Sequence, residues 1–141
     1  MDDVIAANRR LVTRYFEHAW NAGDVDVLHD LLAPDYVNHS PGMPTPEPGP
    51  AGLKPIIRAM RTGFPDLHFA IEDMVVAHDA VAVRSIMTGT HAGELFGAPP
   101  TKRRVRIAQM QIEHIAAGRI VAHWRQTDDL ALHRQLGWID G

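Results

Sequence analysis

The candidate chemistry of this chain is concentrated in its closing hairpin. Residues 103–115 and 119–127 read as two strands joined by the tight turn Ala116-Ala117-Gly118. With the turn centred on Ala117, His114 lies opposite Ile120, Met110 opposite Trp124 and Arg106 opposite Asp128. Alternation then assigns Ala108, Met110, Ile112, Ile120, Ala122 and Trp124 to a core-side face. Gln109, Gln111, Glu113, Val121, His123 and Arg125 fall on the other face. By the same parity Asp128, four residues after Trp124, stands at the edge of the apolar face. A carboxylate there costs free energy unless it is paired, hydrogen-bonded or protonated. Burial would raise its pKa toward the range that suits general acid–base catalysis. Capping of the following helix is the competing role, because Asp is a favoured N-cap residue. The two roles can be divided, with Asp129 capping and Asp128 facing a pocket.

Other groups could assist. None of the nine histidines stands in a metal-binding spacing such as His-Glu-x-x-His, so no metal site is expected. In the register above, His114 is on the order of 25 Å from Asp128 along the sheet and is ill placed as its partner. His39 and His91 each lie where a strand meets a loop and are better candidates for substrate-binding donors. Tyr15, on the core side of the first helix, could bring a phenol to the pocket. Arg84 is either an anion ligand or an exposed residue of the sheet's other face. Met110 and Trp124 would form apolar pocket wall. Leu95 and Phe96, apolar in a loop otherwise rich in Gly and Pro, suggest a lid, and the proline-rich stretch 41–50 would border the pocket mouth. Glycine-rich phosphate loops, nucleophile elbows and calcium loops are absent. Carboxylate, imidazole and phenol remain, which points to proton-transfer chemistry without a cofactor.

The elements that must position these groups follow from periodicity. Residues 3–22 carry Val4, Ile5, Leu11, Tyr15, Ala19 and Trp20 at helical spacing, and Gly23 stops the run. Asp24 is placed to cap a second short helix that Pro34 ends. Residues 35–39 read as a short strand or extended piece, and 53–64 as a third helix with Pro55 in its first turn. From Leu67 the period changes to two, giving strands over 67–77, with a bulge or doubly buried stretch in 73–77, and over 80–89. A loop over 92–102 precedes the hairpin, and a last helix covers 130–136. Helices followed by a run of antiparallel strands predict an α+β domain with the helices on one face of a curved sheet.

The whole chain sets the outer limits. Its 141 residues suit one domain, 1–141, with 45% hydrophobic and 22% charged residues, an ordinary globular composition. The net charge of −3, with acids and bases interspersed, excludes the basic footprint of a nucleic-acid binder. There is no cysteine, so disulfide and thiolate chemistry are ruled out. No apolar stretch is of membrane-spanning length and no targeting signal is visible, so a cytoplasmic location is the expectation.

Several segments resemble the SnoaL-like polyketide cyclase (ester cyclase) family of the nuclear-transport-factor-2-like superfamily. They are Arg14-Tyr15-Phe16-Glu17 with Trp20-Asn21-Ala22-Gly23-Asp24, Asp35-Tyr36-Val37-Asn38-His39, and Phe64-Pro65-Asp66. Residues 89–97, Pro99-Pro100-Thr101, Gly118-Arg119-Ile120-Val121, Trp124, Asp128 and Gln135-Leu136-Gly137 complete the set. Lys102 departs from the pattern, because relatives commonly have glycine there. The resemblance implies a cone of helices in the concave face of a strongly curved, mainly antiparallel sheet, enclosing a pocket. It also implies assembly as a homodimer or higher homo-oligomer. It further implies an intramolecular aldol ring closure on a small apolar carbonyl compound, without metal or cofactor, with Asp128 as general acid/base. Tyr15, His39 and His91 would then be the supporting donors. Two other readings compete: a non-catalytic ligand-binding or dimerising scaffold, and a hydrolase in which Asp128 activates water.

Overall fold

The structure, a computed structural model, describes residues 2–40, 42 and 46–140. Helix α1 (Asp3–Arg14) is capped by Asp2, whose carboxylate accepts from Val4 N, and continues without a break into a π-helical segment, Tyr15–Asn21. The expected helix is therefore present, but its last turns are wound wide, a geometry that recurs at functional sites. This segment buries Tyr15, Phe16, Ala19 and Trp20. A 3-10 turn (Val25–Val27) leads into α2 (Leu28–Leu31); Asp24 makes no capping hydrogen bond, contrary to expectation, because the chain enters through the tighter turn. Pro34 does not end a helix. It lies in β1 (Leu32–Asn38), an edge strand, where a residue without an N–H is tolerated. Helix α3 (Pro50–Gly63) begins three residues earlier than the pattern suggested, with Pro50 at its first position and Pro55 inside it.

The remaining elements are β2 (His68–Val76), β3 (Ala80–Thr90), β4 (Arg104–Ala116), β5 (Arg119–Thr127) and α4 (Asp129–Gln135). The sheet order is β1-β5-β4-β3-β2, antiparallel except for the parallel pair β1–β5. The sheet is curved, with the N-terminal helices packed against it, as expected for this α+β class. A register shift between Ile71 and Asp73 puts the β2 bulge at Glu72, ahead of the stretch 73–77 where a bulge or a doubly buried run was expected. That stretch is regularly paired and alternates between exposed and half-buried residues. The β4–β5 turn places Ala117 at φ 52 and Gly118 at φ 75, the doubly left-handed geometry that matches strand twist in a two-residue hairpin. Lys102 also sits at φ 64, in the region glycine favours.

Side-chain amides fasten the helices to the sheet. Asn8 Nδ2 donates to the carbonyls of Ala77 and His78, tying α1 to the β2–β3 turn. Asn21 exchanges two bonds with the Phe69 backbone, at 3.0 and 2.7 Å. Gln135 does the same for Arg106, accepting from its N–H at 2.7 Å and donating to its carbonyl at 3.1 Å. β5 ends at Thr127, opposite Gln109, so Gln135 continues the ladder where β5 no longer runs. Arg61 closes the end of the π-helical segment. Its Nη1 donates to the carbonyls of Trp20 (2.8 Å), Asn21 (3.0 Å) and Leu67 (3.3 Å).

Hydrogen bonds from a charged donor are worth about 1.5–3 kcal/mol each, and leaving buried carbonyls unpaired adds a desolvation cost. Arg61→Met is therefore expected to lower unfolding free energy by about 2 kcal/mol or more in urea titration, with m unchanged. A loss below about 0.5 kcal/mol would show that these carbonyls find other partners.

Candidate active site

The inward face of the closing hairpin is the reverse of the one expected from alternation. Along β4 the buried residues are Val105, Ile107, Gln109, Gln111, Glu113 and Ile115, while Ala108, Met110 and Ile112 are exposed. The apolar ends of the strand set the parity, and its polar middle is carried inside with them. In β5 the register shifts: Ile115 pairs with Ile120 but His114 with Ala122, leaving Val121 without a partner. This bulge lets Ile120 and His123 both face inward, and turns Trp124 out at 49% exposure. The expected pairs are displaced accordingly: Met110 lies opposite Gln126, and Trp124 opposite Ile112.

Three inward cross-strand pairs, Gln109–Thr127, Gln111–Arg125 and Glu113–His123, form a polar strip on the concave face. Their neighbours on β3 are Ser85, Val83 and Val81. Over the strip lies a cavity of about 660 Å³ whose other walls include Trp20, Ile56, Met60, Phe69 and Met87. A narrow annex, sharing Trp20, Phe69, Gln109 and Arg125 with it, continues inward past Tyr15 to Gln111 and His123. An apolar cavity with a few convergent polar groups is the usual form of a small-molecule site.

The innermost pair is tightly bound. His123 Nδ1 lies 2.6 and 2.9 Å from the two oxygens of Glu113, and both side chains are essentially inaccessible. A carboxylate there selects the tautomer with the proton on Nδ1, leaving the Nε2 lone pair free. Gln111 Nε2 donates to Glu113 at 3.3 Å, while its carbonyl oxygen, like the hydroxyls of Tyr36 and Ser85, is buried without a partner among the described residues. Burial raises the pKa of Tyr15, with the Glu113 charge adding to it, so its phenol stays protonated. Tyr36 is raised in the same way by burial, then by Tyr15 and Glu113. Among the described residues no group of three His, Asp or Glu side chains could hold a metal ion.

The residues singled out from the sequence fall in three places. Tyr15, Leu95 and Phe96 line the cavity or its annex, with Leu95 buried and Phe96 exposed at its rim. Met110, Trp124 and His39 lie outside it; His39 and Trp124 are brought together on the convex side, rings stacked at 4.0 Å. His114 and Arg84 are also on that exposed face. Asp128 is exposed and caps α4, its carboxylate accepting from Ala131 N at 3.1 Å, while Asp129 is the aspartate that lines the cavity. The division of roles between the two is thus opposite to the one expected, because β5 ends at Thr127 and Asp128 begins the helix. Gly42 of the proline-rich stretch lines the cavity; Pro41, Met43, Pro44 and Thr45 lie outside the described residues. Glu113, His123 and Arg125 were missed as site residues. The signal available was the pair Val105 and Ile107, whose parity contradicts that of Met110 and Ile112.

His91 is fully buried behind the cavity, between Phe64 and Trp138, with Nδ1 accepting from Thr101 N at 3.2 Å. Burial holds its pKa below the ordinary 6.5; the Gly93 backbone partly opposes this and Lys102 adds to it. The unfolded chain therefore binds a proton at this position at higher pH than the folded chain. The resulting stability is complete above about pH 6.5 and is lost as the pH falls. The expected outcome is that His91→Gln melts less steeply with acidification from about pH 7 to 5.5 than the parent. Equal slopes in differential scanning fluorimetry would dismiss the linkage.

Comparison with known proteins agrees with this architecture. The SnoaL-like polyketide cyclase family profile matches residues 10–136. The aklanonic acid methyl ester cyclase AcmA of Streptomyces galilaeus is 30% identical over 139 residues, covering 97% of this chain and 92% of that protein. Among solved structures, TsrD from Streptomyces laurentii superposes with a TM-score of 0.86 at 31% identity, covering 95% of this chain and 97% of TsrD. IdmH from Streptomyces antibioticus gives 0.78 at 33%, covering 92% and 97%. With a profile match across most of its length and a cavity built in the concave face of the sheet, the chain belongs to the SnoaL-like polyketide cyclase family.

Proposed function

We propose that this chain catalyses an intramolecular aldol ring closure on a polyketide-type carbonyl compound, with His123 as general acid/base and Glu113 orienting it. The buried Glu113–His123 contact of 2.6 Å at the inner end of the cavity carries this reading. Through one water held in the annex, His123 Nε2 takes a proton from the carbon between two carbonyls. The enolate carbon attacks the second carbonyl, and the resulting alkoxide takes the proton back from the imidazolium. Each proton moves between substrate and His123, so the step as written needs no cofactor. Gln109 and the protonated Tyr15 supply donors to the enolate oxygen. The cavity volume, about 660 Å³, suits a small fused-ring precursor, whose folding it restricts.

Asp128, the acid/base that the resemblance implies, is the rival assignment, and one assay separates the two. On a ring-closing substrate, His123→Gln is expected to lower kcat at least about 100-fold, the usual worth of a positioned acid/base. Asp128→Asn keeps a cap at α4 and is expected to leave kcat within about twofold. The opposite pattern would give the proton transfer to Asp128.

A hydrolase remains a second reading because the annex, with about 10 Å³ of accessible space, admits one water-sized group beside His123. Incorporation of labelled oxygen from water into product would favour it; ring closure without incorporation favours the cyclase.

A homodimer formed through the convex face is the assembly we favour. Met110 and Ile112 on β4, with Trp124 on β5, are 61%, 44% and 49% exposed on adjacent rows of the sheet. A two-fold contact would bury this patch in both copies. Ile112→Lys is expected to shift the molecular mass in light scattering to that of the monomer with the fold intact by circular dichroism. An unchanged dimer would move the interface elsewhere.

A further inference from the structure

We propose that Arg125 makes the inner half of the cavity an anion subsite, so that the substrate carries a free carboxylate rather than a neutral ester. This rests on the reading of the cavity as the substrate site and names what the substrate must present there. Arg125 stands opposite Gln111 in the polar strip, and its side chain lines both the cavity and the annex. Its guanidinium makes one hydrogen bond among the described residues, from Nη2 to the Ser40 carbonyl at 2.9 Å. No carboxylate of the described residues lies within ion-pair distance of it. Glu113, one row further in, is committed to His123 and Gln111. Asp129 and His133 line the cavity from α4 without an ion pair to Arg125.

A partly buried cation with one neutral partner is costly, and a carboxylate arriving with the ligand offsets that cost through a planar, two-point contact. Two further polar side chains converge there with no protein partner among the described residues: Gln109, which lines both compartments, and Thr127, its neighbour across the strands. They complete a set of a guanidinium, an amide and a hydroxyl facing the same space. The walls beyond, Trp20, Met60, Phe69 and Met87, suit the apolar body of such a molecule.

The test uses 2-naphthoic acid and methyl 2-naphthoate as matched probes in isothermal titration at neutral pH. The parent chain is expected to bind the acid at least about tenfold more tightly than the ester, a difference of about 1.4 kcal/mol. Arg125→Met should abolish that preference with ester affinity kept within about twofold, and Arg125→Lys should retain part of it. Equal binding of acid and ester by the parent overturns the proposal even if Arg125→Met fails to fold, and so does a preference that survives in a folded Arg125→Met. His123→Gln, which acts on turnover, should leave the preference intact. Loss of the preference with His123-dependent turnover preserved sinks the subsite alone; a preserved preference with no ring closure sinks the cyclase reading alone.

Discussion

The pairing of Ile115 with Ile120, and then of His114 with Ala122, leaves Val121 as one extra residue in β5, and the composition of the cavity depends on that insertion. Without it, side chains beyond Ile120 would alternate in the opposite sense, and Ala122 and Trp124 would face the helices. With it, His123, Arg125 and Thr127 stand across from Glu113, Gln111 and Gln109, so every polar group of the strip has a polar neighbour over the strand gap. A one-residue change of register exchanges the two faces of a strand, which is why a bulge is an effective way to aim catalytic side chains.

Such a strip is expensive to fold. Glu113 and His123 are withdrawn from water, and the Gln111 carbonyl, Tyr36 hydroxyl and Ser85 hydroxyl lack partners among the described residues. Buried polar groups of this kind contribute little to stability and concentrate where a protein binds or reacts. The cost is offset elsewhere, by an apolar cluster that runs from Val12 and Phe16 through Ile57 and Phe64 to Ile107 and Ile120. Asn8, Asn21, Gln135 and Arg61 add backbone bonds that fix the helices over the sheet without filling the space between them. The π-helical segment belongs to the same compromise, since its wider winding accompanies the placement of Tyr15 and Trp20 on the annex wall.

The convex face shows the complementary economy. Met110, Ile112 and Trp124 sit where a monomer would carry polar residues, and His39 stacks on Trp124 there. Polar residues inside and apolar residues outside are two consequences of one strand parity. An isolated chain has reason to tolerate the first for chemistry; the second makes sense where the outer face meets another surface.

Element types, their order and the α+β class were legible in the sequence, because helical and two-residue periods are local properties and glycine and proline mark the ends. The segments shared with the family were legible too, since they are runs of adjacent residues. The side of each strand that faces inward was not. Between Ile107 and Ile115 the apolar positions of β4 change phase, and alternation alone assigned Met110 and Ile112 to the core. Only the packing of Val105, Ile107 and Ile115 under the helices, together with the bulge at Val121, decided that Gln109, Gln111, Glu113, His123 and Arg125 form the site. The same is true of Asp128: its proximity to a helix start is written in the chain, but where β5 ends depends on how far its hydrogen bonds to β4 extend. Local pattern determined the parts, and long-range pairing determined which of their side chains meet.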